Sequence, residues 1–331
     1  MYVTLRVANQ SELFVAPLRI QNYIRKAMTL DNPKFVEAEK HGRYTENLEP
    51  YIFLYEDLPG GIAFPRGWTR NCLKLLEQNG IQVEIEDKRR TLEPVEFIFQ
   101  ETLRDYQERA IRDVRRRQFG VLEAATGSGK TVVALALIAE RQQPTLVLVH
   151  NKELLHQWAE RIRHFLGIEP GLVGDGKLRI GPVTVGIVNT VRKHLDQLPR
   201  HFGHLVVDEC HRAPSSMFRE TVQAFDCRYM LGLSATPYRR DGLGKLVFLT
   251  LGDRTYKVDQ DELRAEGAVL IPEVIQRETE FTYFYQDDYQ DMVTVLTQDL
   301  ARNELILDDV IERAALELDT CLLVSDRVSH C

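Results

Sequence analysis

The residue types best suited to chemistry stand in the string AATGSGKT, Ala124 to Thr131. Gly127 and Gly129 allow a tight turn that brings backbone close to phosphate oxygens, so that the amides from Thr126 through Ser128 to Thr131 and the start of the following helix face an anion. Lys130 is placed to reach the β and γ phosphates and Thr131 to ligate Mg²⁺. The strict form of this loop opens on glycine, whereas here Ala124 stands first. Further along, HLVVDECH sets Asp208, Glu209 and His211 at the end of a buried apolar run. Adjacent carboxylates at a strand's exposed end suit nucleoside triphosphate hydrolysis, Asp208 holding Mg²⁺ through its hydration shell and Glu209 orienting and deprotonating the attacking water. Lys130, Asp208 and Glu209 form the expected catalytic set. They are expected to converge, with Thr131, on one magnesium-bound triphosphate at neighbouring strand tips.

Such convergence requires a scaffold of parallel strands. The runs GVLEA, TLVLVH, VTVGIV, HLVVDE and RYMLGLSAT are short, apolar and separated by helical segments, the pattern of a sheet covered on both faces. The first of them leads directly into the glycine-rich turn, where doubly wound folds bind ligands. This α/β lobe is expected over residues 93–252. Before it, residues 1–92 read as a small α+β module that could bind nucleic acid: Val3, Leu5 and Val7 alternate as in a half-buried strand, and a basic DKRR segment serves as linker. After it, residues 253–331 read as a connector with an amphipathic helix, LARNELILDDVIERAALEL, and then a buried-strand pattern, TCLLVSD. A strand with nothing to pair with is a poor end for a domain, so the chain is expected to be truncated.

Bulk properties narrow the field. A chain of 331 residues supports two domains or two and a fragment. With 44% hydrophobic and 27% charged residues, no apolar run long enough to cross a bilayer and no secretory leader pattern, it is expected to be a cytoplasmic globular protein without a membrane partner. Five scattered cysteines, never spaced as CxxC, argue for reduced thiols rather than zinc or disulfides. The net charge of -7 leaves any nucleic-acid contact to local basic faces.

From about residue 103 to 241 the motifs resemble those of superfamily 2 helicases, in the expected order. LRDYQ is similar to the Q motif, and the resemblance implies that Gln107 reads the adenine edge with Arg104 in support. VHNKELLHQW and IVNT resemble motifs Ia and Ib, which implies nucleic-acid backbone contacts at Asn151, Gln157 and Thr190; Asn151 is equally well placed to cap a helix. Ser234-Ala235-Thr236 resembles motif III, implying that Ser234, Thr236 and His211 couple the nucleotide state to nucleic-acid binding. Arg239 and Arg240, before Asp241, stand where the XPB branch has Arg-Glu-Asp, and the wording GLSATPYRRDG resembles its bacterial and phage relatives, restriction-subunit-like and UvsW-like. These resemblances imply a RecA-like lobe that uses ATP and Mg²⁺ to move on duplex or forked DNA, followed by the start of a second RecA-like lobe. Closure of that lobe and its arginine fingers would be absent here, so the 331 residues alone are expected to hydrolyse ATP poorly. RNA is the alternative track, and a non-catalytic binding module is the alternative class.

Two further basic segments invite nucleic-acid readings. AFPRGWTR interleaves Phe64 and Trp68 with Arg66 and Arg70, though aromatics between a strand and a helix more often fill a core. Six arginines fall between Arg104 and Arg117 with acids on neighbouring turns, which suits a solvated helix face.

Overall fold

The structure is a computed structural model that describes residues 2–212, 216–236, 243–258, 263–264, 267, 274–285, 288–315, 322–325, 327 and 330. The chain divides into two compact units, Met1–Leu270 and Ile271–Cys331.

The first unit opens with β1 (Tyr2–Val7), β2 (Gln10–Phe14), α1 (Leu18–Ala27), β3 (Thr29–Asp31), α2 (Pro33–Lys40), β4 (Tyr51–Phe53), β5 (Glu56–Leu58), β6 (Gly61–Pro65), α3 (Thr69–Gln78) and β7 (Gln82–Asp87). Five of these strands form a sheet in the order β5-β6-β2-β1-β7, with β1 antiparallel to β2 and parallel to β7. The alternation of Val3, Leu5 and Val7 buries one face of β1 against Ile20 and Ile24 of α1 and Cys72 and Leu76 of α3.

A larger sheet follows, built with α4 (Asp105–Arg115), β8 (Phe119–Glu123), α5 (Lys130–Arg141), β9 (Thr145–Val149), α6 (Lys152–Leu166), β10 (Gly171–Gly174), β11 (Lys177–Arg179), β12 (Val183–Ile187), α7 (Val188–Val191), β13 (His204–Val207), α8 (Ser216–Gln223), β14 (Tyr229–Ser234), α9 (Gly244–Leu251) and β15 (Arg254–Lys257). Its order is β11-β10-β12-β9-β13-β14-β8-β15, parallel except for the β10–β11 pair. Side chains of each central strand alternate between two cores. Leu122, Val147 and Val206 face α4, α5 and α6, whereas Val121, Leu146, Leu148, Leu205 and Val207 face α7, α8 and α9. Burial on both faces is why these strands read as continuous apolar runs.

Several features depart from the sequence expectations. The strands carrying the phosphate loop and the paired carboxylates are not immediate neighbours: β14 runs between β8 and β13. Residues 254–257, expected in a connector, form the edge strand β15, because Arg254 and Lys257 close on the buried Glu123 carboxylate. The DKRR segment is no free linker. Arg90 forms a two-pronged ion pair with Asp226 and an isolated bridge to Cys227, and Lys88 donates its N–H to the Val7 carbonyl. The small module and the lobe therefore belong to one compact unit, with Leu246 and Leu249 of α9 completing the module's core.

The second unit contains α10 (Tyr289–Gln298), capped by the Asp288 carboxylate on the N–H groups of Gln290 and Asp291, and α11 (Leu300–Ala315). Leu322–Ser325, expected within a buried strand, adopt no regular element, and Leu322, Leu323 and Val324 are exposed. Among its described residues this unit holds no strand with which they could pair.

Candidate active site

The chain leaves β8 at Glu123 and turns into α5 through residues 124–129. Gly127 and Gly129 take φ of 82° and 74°, left-handed values that suit glycine. A side chain at 129 would also collide with Gln107, since a Cβ there would lie 2.5 Å from Nε2. The loop is held from below: the buried Tyr106 hydroxyl donates to the Ser128 carbonyl at 2.9 Å, and the Ser128 hydroxyl donates to the Ala125 carbonyl at 2.6 Å. Lys130 Nζ donates to the carbonyls of Ala124 and Ala125 at 3.0 and 3.1 Å. An ammonium has three N–H donors, so one remains for a ligand.

A cleft of about 610 Å³ opens above this loop. Thr126, Gly127, Gly129, Lys130 and Thr131 line one wall, Asp208 and Glu209 another, and Leu154, Gln157, Trp158, Glu160 and Arg161 of α6 a third. Asp208 is only 7% exposed, and each of its oxygens already has one donor. Oδ1 accepts the Glu209 N–H at 3.0 Å and Oδ2 accepts the Trp158 indole N–H at 2.8 Å. Burial pushes the Asp208 carboxyl above its ordinary value and pulls the Lys130 ammonium below its own, the latter against the attraction of Glu209 and Asp208. Glu209 has a φ of 49°, a strained conformation for a side chain of its kind.

The paired carboxylates connect onward to β14. His211 Nδ1 lies 3.2 Å from Glu209 Oε2 and 3.2 Å from Ser234 Oγ, and Ser234 Oγ accepts the Thr236 N–H at 3.1 Å. The strand between β8 and β13 thus reaches the carboxylate through a histidine. An adjoining pocket of about 310 Å³ is lined by Glu101, Thr102, Arg104, Tyr106, Gln107, Gly127, Gly129, Val132, His164 and Phe165. Gln107 Oε1 accepts the Arg104 N–H at 3.0 Å, so the first turn of α4 orients the amide beside the phosphate loop.

With this geometry, the comparisons decide the family. Residues 100–239 match the family model described as Type III restriction enzyme, res subunit. Helicase 109L of Invertebrate iridescent virus 3 is 30% identical over 255 residues, 72% of this chain and 75% of that protein. The chain belongs to the same family of helicases as that protein. It is also 35% identical over 161 residues to DNA 3'-5' translocase XPB2 of Sulfurisphaera tokodaii, covering 49% of this chain and 37% of that one. To helicase D10 of Escherichia phage T5 it is 37% identical over 198 residues, covering 58% of this chain and 43% of that one. It therefore spans about two fifths of the length of these two relatives. In fold, the UvsW helicase from bacteriophage T4 superposes with a TM-score of 0.58 at 19% identity, over 78% of this chain and 100% of that one, which makes the large sheet RecA-like.

Not every residue singled out in this helicase chain joins the cleft. Ser128 is buried and does not line it, its hydroxyl being spent inside the loop. Gln157, expected at nucleic acid, lines the same cleft as Lys130 and Asp208, because it shares a face of α6 with Leu154, Trp158 and Arg161 at helical spacing. Asn151 caps α6, accepting the Leu154 N–H at 2.9 Å. Thr190 is half-buried in α7, apart from the cleft-lining set. Arg239 and Arg240 lie outside the described residues. Phe64, Arg66 and Trp68 are buried, while Arg70, Arg116 and Arg117 line a separate cavity beside Phe119, at the opposite end of β8 from the phosphate loop. Arg115 and Arg116 pair with Glu140 and Asp113. Tyr106, Trp158 and Arg161 were not anticipated as site residues. The spacing of 154, 157, 158 and 161 on one helix face was the available signal for the last two.

Proposed function

We propose that the Met1–Leu270 unit binds and hydrolyses Mg-ATP and that hydrolysis drives movement on duplex or forked DNA. The observation that carries this reading is the single cleft shared by Lys130, Thr131, Asp208 and Glu209. The free N–H of Lys130 meets the β and γ phosphates, while the backbone of Thr126, Gly127 and Gly129 cradles them. A Thr131 hydroxyl and an Asp208 carboxylate are hard oxygen donors of the kind that suits magnesium, which leaves most of its shell to water and phosphate. Magnesium held by these residues would supply positive charge against the β and γ oxygens. Glu209 accepts the proton of the attacking water. Gln107 and Arg104 border the pocket beside the loop and take the adenine edge. His211, between Glu209 and Ser234, passes the state of the hydrolytic carboxylate to β14 and so to the nucleic-acid side.

DNA as the track is supported by one relative named a DNA translocase and others named DNA helicases. The test is steady-state ATP hydrolysis by the protein with duplex DNA, forked DNA, single strands and RNA. A low absolute rate, raised most by duplex or forked DNA and abolished by Lys130→Ala, is the expected result. Hydrolysis that ignores nucleic acid, or survives Lys130→Ala, overturns the reading, and stimulation by RNA alone moves the track to RNA.

A further inference from the structure

We infer that Trp158 is a positioning residue for Asp208, holding its carboxylate in the orientation that receives the divalent cation. The inference rests on the Mg-ATP reading above. Trp158 lies in the middle of α6, 50 positions before Asp208 in sequence, yet its indole N–H donates to Asp208 Oδ2 at 2.8 Å. Both partners are buried, Trp158 at 2% exposure and Asp208 at 7%. An indole offers one N–H and no acceptor, so it can only donate, and its large ring gives the donor a fixed place in the core. The ring is buried in the core that α6 shares with the central strands, to which Leu155, Ala159, Ile162, Val147 and Val206 also belong.

The second Asp208 oxygen is fixed independently by the Glu209 N–H at 3.0 Å. Two donors, one per oxygen, set the carboxylate plane and leave each oxygen a further lone pair toward the cleft. Without the indole, Oδ2 would be buried without that donor and the carboxylate could rotate about its last bond. Such outer partners of metal carboxylates commonly change metal affinity by about 10–100-fold when removed. A tryptophan that served packing alone would need no donor aimed at a carboxylate, and phenylalanine would fill most of its volume.

Trp158→Phe removes the N–H and keeps a ring. Binding of a fluorescent ATP analogue is measured across a Mg²⁺ titration and in excess EDTA. A rise of about tenfold in the Mg²⁺ midpoint, larger than any change of affinity in EDTA, is expected. Equal Mg²⁺ midpoints in the two proteins overturn the inference, as does an equal loss with and without Mg²⁺, which marks a packing defect. A wild-type protein whose binding is indifferent to Mg²⁺ overturns the Mg-ATP reading itself, a distinguishable failure. A second measurement needs no change at Trp158. The chain has two tryptophans, and Trp68 lies in the small module against Phe64. In Trp68→Phe protein, adding Mg²⁺ to the nucleotide-bound state is expected to change Trp158 emission with the midpoint found by nucleotide binding, and Asp208→Ala is expected to remove the change. An emission insensitive to Mg²⁺ overturns the inference.

Discussion

Arg66, in the small module, donates from Nη1 to the carbonyl oxygen of Cys227 in the α/β lobe at 2.7 Å, and from the same nitrogen to the carbonyl of Ala8 at 3.1 Å. The side chain is 2% exposed and, among the described residues, has no carboxylate as a hydrogen-bond partner; burial pulls its guanidinium down to about 10. Truncation would strand both carbonyls and leave a void. Arg66→Ala is therefore expected to cost about 3 kcal/mol and lower the melting temperature by roughly 6–12 °C. Arg66→Met, which fills the space without a buried charge, should recover part of that loss. Calorimetry of the three proteins checks the order. An alanine variant melting within about 2 °C of wild type would show that the guanidinium contributes little to holding module and lobe together.

The neighbouring Gly67 tests the same junction sterically. A Cβ there would stand 2.4 Å from the carbonyl oxygens of both Phe248 and Leu249 and 2.6 Å from the Gly252 nitrogen. None of these is the end of a flexible side chain, so Gly67→Ala must push the module off α9. The expected result is a separate, earlier unfolding step for the module and faster proteolysis near residues 88–96. A single transition at the wild-type temperature would contradict it.

How much of this was legible follows from the range of each interaction. The phosphate loop and the central strands depend on neighbours in sequence, glycines at fixed offsets and apolar runs buried on both faces, so AATGSGKT and HLVVDECH announced themselves. The edge strands β11 and β15 did not: Lys177, Leu178 and Arg179 are all exposed, and β15 is held by ion pairs to Glu123 rather than by an apolar run. Side-chain orientation was least visible. Gln157 shares the cleft of Lys130 and Asp208, and Trp158 meets Asp208 only because β9 and β13 are adjacent. Pairings across the sheet depend on strand order, which periodicity does not encode.

Glu209, the proposed base, also carries backbone strain. Its φ of 49° costs about 1 kcal/mol for a residue with a Cβ, and glycine adopts it freely. Glu209→Gly is expected to raise the melting temperature slightly while hydrolysis is lost; Glu209→Gln, keeping the side chain's reach, should bind nucleotide normally and hydrolyse it about 10²–10⁴-fold more slowly. Differential scanning fluorimetry and single-turnover hydrolysis measure the two effects. If the glutamine variant retained full turnover, Glu209 would not be the base.

Ser234 is fully buried, and its hydroxyl meets both His211 Nδ1 and the Thr236 N–H. Removing that oxygen should separate hydrolysis from nucleic acid without disturbing the phosphate loop, which it does not touch. For Ser234→Ala, nucleotide affinity is expected within about twofold of wild type, with the stimulation of hydrolysis by DNA reduced by about tenfold, the size of a single coupling energy of 1–3 kcal/mol. The ratio of stimulated to basal rate is the measurement. An unchanged ratio would place the coupling elsewhere.

Acid sensitivity can be traced on the outer surface of the lobe, where Arg163 and Arg179 both donate to the Glu169 carboxylate, at 2.7–3.0 Å. These bonds, that from Arg163 foremost, bring the Glu169 carboxyl from 4.5 down to about 2. Because the folded-state value lies below the unfolded one, the unfolded chain takes up the proton first as pH falls, so the pair's contribution is present above about pH 4.5 and fades toward pH 2. The three side chains are exposed and screened by salt, which keeps the effect small. Glu169→Gln should therefore lower the melting temperature slightly at pH 7, and the gap from wild type should close as pH falls from 4.5 toward 2 and shrink in 1 M NaCl. Melting curves from pH 7 to pH 3 at low and high salt measure it; a gap that widened on acidification would mean that Glu169 is stabilised in its protonated form.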